Sequence, residues 1–250
     1  LVASGSSAQG QGHRTAFAQI AAGVIGVPVE RVEVVEGDSA TAPPGVGAVA
    51  SRSMAIGGSA VKLAAEAMRA KLAERGSDDR EGLATEEVYT APSEAWSAGC
   101  CLVVMAIDRD TGTPALERVV WVDDAGVVVN PLCAEGQLTG GFAQGLGTAL
   151  MERIHYDAGG QILTGTLVDY ALPRAADMPA LTLESLPSET SANALGAKGI
   201  GESGSIAAPA AILNAALDAL APYGTHQLGL PLTREVLWRA LRTDEGGNQR

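Results

Sequence analysis

Gly199-Ile200-Gly201-Glu202-Ser203-Gly204-Ser205 places one carboxylate among side chains too small to cover it. Three of these seven residues are glycine, and an alanine-rich apolar segment, Ile206 to Leu220, follows at once. That segment predicts a helix. A backbone this permissive can lie close against a large ligand, and the helix it opens presents unpaired N–H groups. Glu202 therefore has two roles open to it. It can serve as a carboxylate at a helix N-terminus, or it can move protons for a molecule held in the loop.

Outward from this loop the chain has a mixed α+β pattern, with no regular βαβ alternation and no internal repeat. Phe17, Ile20, Ala21 and Val24 share one face of a helix predicted over 14–26, which Gly26 and Pro28 stop. Residues 31–35 alternate like a strand. A long helix is expected over 53–74, then a charged, irregular surface connection over 75–98. Strands over 101–108 and 116–123 flank Asp108-Arg-Asp-Thr-Gly112, a hairpin turn. Asn130-Pro131 reads as a turn with a packing role before a helix over 138–152. A second hairpin is expected over 154–167, around Asp157-Ala-Gly-Gly160. A strand over 181–186 and helices over 206–220 and 233–241 complete the pattern. Residues 1–242 are expected to form one region, or two α+β subdomains meeting near 75–98, with 243–250 a polar tail. The opening Leu1-Val-Ala-Ser-Gly-Ser-Ser reads like the end of a strand, as in a piece of a longer protein.

The chain has 250 residues, 46% hydrophobic and 18% charged, enough for one large core or two smaller ones. A formal net charge of -12 argues against nucleic acid or an anionic membrane as a partner. Cys100, Cys101 and Cys133 have no disulfide, zinc or iron–sulfur spacing, so reduced thiols and a cytoplasmic location are expected. No apolar run reaches about 18 residues, and no signal-peptide pattern is present, so no membrane span is expected.

One device recurs. A Gly, Ser or Gln cluster stands just before a helix in Gly10-Gln11-Gly12-His13, Ala50-Ser51-Arg52-Ser53, Glu135-Gly136-Gln137 with Gly140-Gly141, and Gly196 to Gly204. Such helix starts bind anions and amides, and four of them point to a large, phosphate-bearing ligand gripped through the backbone. None is a P-loop, since no Gly-Lys-Ser/Thr follows, and none is a dinucleotide fingerprint, since Gly10-Gln-Gly12 lacks its third glycine. A serine hydrolase is the rival chemistry. Gly201-Glu-Ser-Gly-Ser205 approaches a nucleophile elbow, but its fifth residue is Ser, no strong strand precedes it, and only His226 follows Ser203.

Taken in order, these segments resemble the C-terminal part of the molybdenum-binding large subunit of the xanthine dehydrogenase, aldehyde oxidase and carbon monoxide dehydrogenase family. The resemblance also rests on Val122-Asp-Asp-Ala-Gly126, Val129-Asn-Pro131 and Asp169-Tyr-Ala-Leu-Pro173. Its details lie nearest the carbon monoxide and N-heterocycle branch. The resemblance implies an α+β, mixed-sheet molybdopterin-binding domain, incomplete at its N-terminal side. It implies a molybdenum–pterin cofactor in its cytosine dinucleotide form, with 2Fe-2S and FAD on partner subunits. The implied activity is oxidative hydroxylation of an aldehyde, an N-heterocycle or a similar small molecule, with water as oxygen source. Glu202 falls on the family's general base, which takes the proton from the oxygen nucleophile that attacks an electron-poor carbon. Because the pterin holds the metal, no protein ligand to it is expected.

By the same resemblance Gly10, Gln11, Gly12, Ala50, Ser51, Arg52, Ser53, Gln137, Lys198, Gly199 and Gly201 bind the cofactor. Ser51 and Ser53 fit helix caps as well. Arg52 fits a cofactor phosphate or a neighbouring carboxylate, and Lys198 fits support of the Glu202 loop or a solvated position. His13 reads as structural. A Glu in an apolar, glycine-lined loop would be desolvated. The family's substrate-selecting side chains lie in the N-terminal part, so a second reading is a fragment that completes its site only with that part or a partner chain.

Overall fold

The computed structural model describes residues 1–75 and 82–242. Two compact units are present: the described part of 1–98 with 123–137 and 185–202 forms the first, and 99–122, 138–184 and the described part of 203–250 the second.

In the first unit, β1 (Val2–Ser4) and β2 (Val34–Glu36) pair in parallel, and α1 (His13–Ile25) joins them. This single βαβ crossover is hidden in the sequence because three-residue strands are too short to alternate visibly. Phe17, Ile20 and Ala21 of α1 are buried with Val34 and with Val61 and Ala65 of α2 (Ser59–Arg75), while Val24 is partly buried at the margin. Burying Phe17 alone is worth about 2 kcal/mol. Gly26 ends α1 in the left-handed conformation, its N–H donating to the Ala22 carbonyl. The strand expected over 31–35 is displaced towards the C-terminus. Pro28 instead starts a short 3₁₀ turn, Val29–Arg31, in which the Arg31 N–H donates to the Pro28 carbonyl and the Val32 N–H to the Val29 carbonyl. The helix expected from Ser53 opens as a wide π-type turn, Met54–Gly58, before α2 begins.

In the second unit, β3 (Ala98–Ile107), β4 (Pro114–Asp124) and β5 (Leu181–Ser185) make a sheet in that order. Asp108 closes the β3–β4 turn by accepting the N–H groups of Asp110 and Thr111 and the Thr111 hydroxyl. The second expected hairpin reduces to one bridge, Tyr156 to Ile162. Asp157 does form the turn, accepting from Gly159 and Gln161, and the largely exposed flanks add the Leu163 N–H to the His155 carbonyl and the His155 N–H to the Thr164 hydroxyl without extending into strands.

α3 (Pro131–Leu150) starts seven residues before its expected beginning at Leu138. Asn130 caps it, its Oδ1 accepting the Cys133 N–H at 2.9 Å, and Pro131 takes the first helical position. Glu135-Gly-Gln137 and Gly140-Gly141, expected as a cluster before the helix, therefore lie inside it. α4 (Ser203–Leu220) starts directly after Glu202 and is followed by α5 (Arg234–Ala240). The expectation that nothing is long and apolar enough to span a membrane needs correction. Ser203–Tyr223 passes that test by length and composition, because alanine and leucine fill it. Within the fold, Ala208, Ile212, Ala216 and Leu220 form its fully buried stripe at four-residue spacing. Residues 82–97 carry neither helix nor strand. Residues 76–81 of the expected connection, and the expected tail 243–250, lie outside the described residues.

Candidate functional site

A cleft of about 250 Å³ lies within the first unit. Its wall contains Gln11, Ala50, Ser51 and Ser53 from the two N-terminal loops, Gln137 from α3, and Lys198, Gly201 and Glu202 from the loop before α4. Gly10, Gly12, Arg52 and Gly199 are not part of that wall. Gly12 instead shapes it from behind. It starts α1 at φ 82°, and a Cβ there would stand 2.7 Å from Cys133 Sγ. Gln11 turns its amide onto its own loop, Nε2 donating to the Ser7 carbonyl at 3.2 Å and Oε1 accepting from Gln9. Arg52 is exposed.

Ser51 is the centre of the second loop. Ala50 and Ser51 hold φ values of 50° and 56°, the positive-φ non-glycine residues among those described. In this strained turn the Ser51 hydroxyl donates to Glu202 Oε2 at 2.7 Å and accepts the Glu202 N–H at 2.9 Å. Ser53, by contrast, makes no capping hydrogen bond to the helical turn it precedes. The glycines opposite leave room for this contact. A Cβ on Gly199 would come within 2.6 Å of the Ser51 carbonyl oxygen, and one on Gly201 within 3.3 Å of Ser51 Oγ.

The Glu202 loop is pinned along its length. Gly126 and Ala197 form a bridge, and Lys198 N–H donates to the Ala125 carbonyl at 2.8 Å. Asn193 brackets Ala197, taking its N–H at 3.1 Å and donating to its carbonyl at 2.7 Å. Lys198 is buried, and its ammonium reaches Asp124 Oδ2 and Ser188 Oγ, each at 2.6 Å. Burial opposes ionisation of Asp124. The bonds it accepts from Lys198, from the Ser188 hydroxyl and N–H, and from the Gly126 N–H prevail, and hold its carboxyl far below the usual carboxylate range. Glu202 itself is exposed, so the described residues do not supply the desolvation expected of it.

Two contributors escaped the sequence. His13, read there as structural, lines the cleft. Its Nδ1 is 3.2 Å from Oε2 of Glu36, whose side chain is fully buried, and its ring stacks on Phe17 with centroids 5.0 Å apart. The other oxygen, Oε1, has Arg14 Nε at 4.0 Å and no hydrogen bond among the described residues. A pairing across 23 positions leaves no trace in spacing. Asn130, read as a packing turn, also lines the cleft while its Nδ2 donates to Gln19 Oε1 at 2.9 Å. The Asn-Pro pair was the available signal, as a helix cap followed by a first-turn proline.

A family model described as a molybdopterin cofactor-binding domain matches residues 1–90 and 76–179. The chain belongs to this family. It is 34% identical to the nicotine 6-hydroxylase large subunit of Paenarthrobacter nicotinovorans, over 96% of this chain and 35% of that protein. It is 31% identical to the carbon monoxide dehydrogenase large chain of Hydrogenophaga pseudoflava, over 95% of this chain and 35% of that one. The solved structure of quinoline 2-oxidoreductase from Pseudomonas putida 86 superposes with a TM-score of 0.83 at 31% identity, covering 95% of this chain and 36% of that chain. The chain thus spans about a third of the length of the curated relatives it matches.

The residues of this molybdopterin cofactor-binding domain fit such a group. α1 has no acidic residue in its first turn and no side-chain cap, so the positive end of the helix is available to a phosphate. Gln137, Ser53 and His13 bring amide, hydroxyl and imidazole groups to the same cleft. Among the described residues no three His, Cys, Asp or Glu side chains gather where they could hold a metal ion. Ser203, the rival nucleophile, is the first residue of α4 and is hydrogen-bonded to no histidine among the described residues. Only the single bridge at Ala197 precedes it, in place of the strand that a nucleophile elbow needs.

Proposed function

We propose that this chain is the cofactor-holding part of a molybdenum hydroxylase large subunit, and that Glu202 is the general base of the reaction. The observation that carries this reading is Glu202 on the wall of the cleft that Gln137 also lines, in a loop pinned from two sides. In the net reaction a substrate C–H becomes C–OH, water supplies the oxygen, and two electrons and two protons leave. When bound, a molybdenum–pterin cofactor supplies the centre that takes up those two electrons. The chain's own residues hold and move. The N–H groups at the start of α1, Gln11, Ser53 and Gln137 grip the cofactor, and Glu202 accepts the proton of the attacking oxygen.

The finer assignments belong to the same proposal. The cofactor is the cytosine dinucleotide form, and electrons leave through 2Fe-2S and FAD centres on partner subunits in the cytoplasm. The substrate is an N-heterocycle, an aldehyde or a similar small molecule. Nicotine and quinoline, named for two of the relatives, favour the N-heterocycle. Since the chain corresponds to only a third of those relatives, catalysis is assigned to the assembly with the remaining part of the large subunit.

The test uses that assembly. Glu202→Gln should lower turnover by about 100-fold or more, the scale of a lost proton-transfer group, while molybdenum and released pterin nucleotide stay at wild-type levels. Gln137→Ala should lower cofactor content. Full turnover in Glu202→Gln, or no molybdenum in the wild-type assembly, would sink the proposal.

A further inference from the structure

We propose that Ser51 is the positioning residue for Glu202: its hydroxyl fixes the direction of the Glu202 carboxylate, and the left-handed turn at Ala50–Ser51 exists to bring it there. The inference rests on the reading of Glu202 as the base, and assigns the Ser51 hydroxyl to Glu202 in place of the cofactor contact that the family resemblance implies for it.

Four observations converge on it. The hydroxyl bonds Glu202 twice, donating to Oε2 at 2.7 Å and accepting the main-chain N–H at 2.9 Å. A side chain tied to its own backbone through one atom has its χ angles set, where a free Glu samples several rotamers. The two residues are 151 positions apart, so no local turn produces the contact. Two consecutive non-glycine residues hold φ values of 50° and 56°, a conformation that persists only when the surroundings over-determine it. Lastly, Gly199 and Gly201 are the residues whose Cβ atoms would push Ser51 away, so the Glu202 loop is built around this serine. The alternative role, capping the following helical turn, falls to Ser53 by position, and Ser53 makes no such bond.

The hydroxyl therefore aims the base. A base displaced by about 1 Å loses on the order of 100-fold in rate. In the cofactor-loaded large-subunit assembly, Ser51→Ala should lower kcat by roughly 10- to 100-fold, with KM and molybdenum content unchanged. Ser51→Gly separates aim from backbone shape, because glycine adopts this φ without strain. If only the turn mattered, Ser51→Gly would match or exceed wild type. We expect it to lose as much kcat as Ser51→Ala. Against a Glu202→Gln background, Ser51→Ala should add no further loss, since both variants remove the same unit. A readout independent of turnover is amide hydrogen exchange, in which the Glu202 N–H should exchange about tenfold faster or more in both Ser51 variants once its acceptor is gone.

Wild-type kcat in Ser51→Gly, or unchanged exchange at Glu202, overturns the proposal. So does loss of molybdenum in Ser51→Ala, which would give the serine to the cofactor. Failure of the underlying reading looks different: Glu202→Gln would then retain turnover, whatever the exchange experiment reports on the Ser51 contact.

Discussion

Asp124 accepts bonds from the Gly126 and Ser188 N–H groups, the Ser188 hydroxyl and the Lys198 ammonium, and its carboxyl titrates far below that of a free aspartate. A folded-state pKa below the unfolded value gives stability that is fully present above the unfolded value, about 3.9, and is lost as pH falls towards the folded one. Denaturant titrations should accordingly show wild type losing stability between about pH 5 and pH 2. Asp124→Asn should be less stable at neutral pH and should lose less on acidification. An identical acid profile in Asp124→Asn would deny this carboxylate its role. The neighbouring strain makes a second test. Ala50 at φ 50° should gain about 1 kcal/mol on replacement by Gly, seen as a higher denaturation midpoint, because relief of left-handed strain exceeds glycine's entropic cost. At this scale the sequence singled out Glu202 as a candidate, because glycines stand near it in the chain, and the structure places it on the cleft wall. It could not reveal Ser51 as the partner, or Glu36 behind His13, because those contacts join residues 151 and 23 positions apart.

Helix α3 shows what glycine means inside an element. Gly145 faces α4, and a Cβ there would stand 2.6 Å from the Ala208 Cβ and 3.0 Å from Pro209 Cδ. Gly140, in the same helix, has nothing within 4 Å of the Cβ position. Alanine should therefore have opposite effects at the two sites. Gly145→Ala should destabilise by about 1–3 kcal/mol through overpacking, whereas Gly140→Ala should stabilise by about 0.5–1 kcal/mol through helix propensity. Equal denaturation midpoints in the two variants would rule out the close α3–α4 approach. Gly136 misled the sequence reading, which began the helix at 138 where α3 already runs from Pro131. Gly136, Gly140 and Gly141 weaken a helical pattern locally, and only the Asn130 cap, a side-chain bond to the Cys133 N–H, marks the true start. Strand positions were easier where Asp108 built a complete turn, and harder at Asp157, whose turn closes on chain that finds no sheet to join.

Over the whole chain, the cleft draws on residues within 9–54, 125–137 and 197–202, which meet in one unit despite long intervening segments. The α+β class and the order of the motifs could be read along the sequence. The interleaving could not, since a chain's returns to the same unit are set by packing, not by local pattern. A site assembled from separated segments exists only in the folded state, so a ligand bound there stabilises folding by mass action. At 100 times its Kd the gain is about 2.7 kcal/mol. A protein of 150–250 residues shifts its melting temperature by about 2–4 °C per kcal/mol and a larger one by less, so the assembly should rise by a few degrees, with about 10 °C as the upper bound. Thermal unfolding of cofactor-loaded and cofactor-free preparations of one assembly measures this directly. Glu202→Gln should keep the rise, because the role proposed for Glu202 is to move protons and not to anchor the cofactor. Gln137→Ala should lose much of it, because Gln137 lines the cleft and its amide is proposed to hold the cofactor. An equal melting temperature for loaded and unloaded wild type would mean that this cleft is not where the cofactor binds.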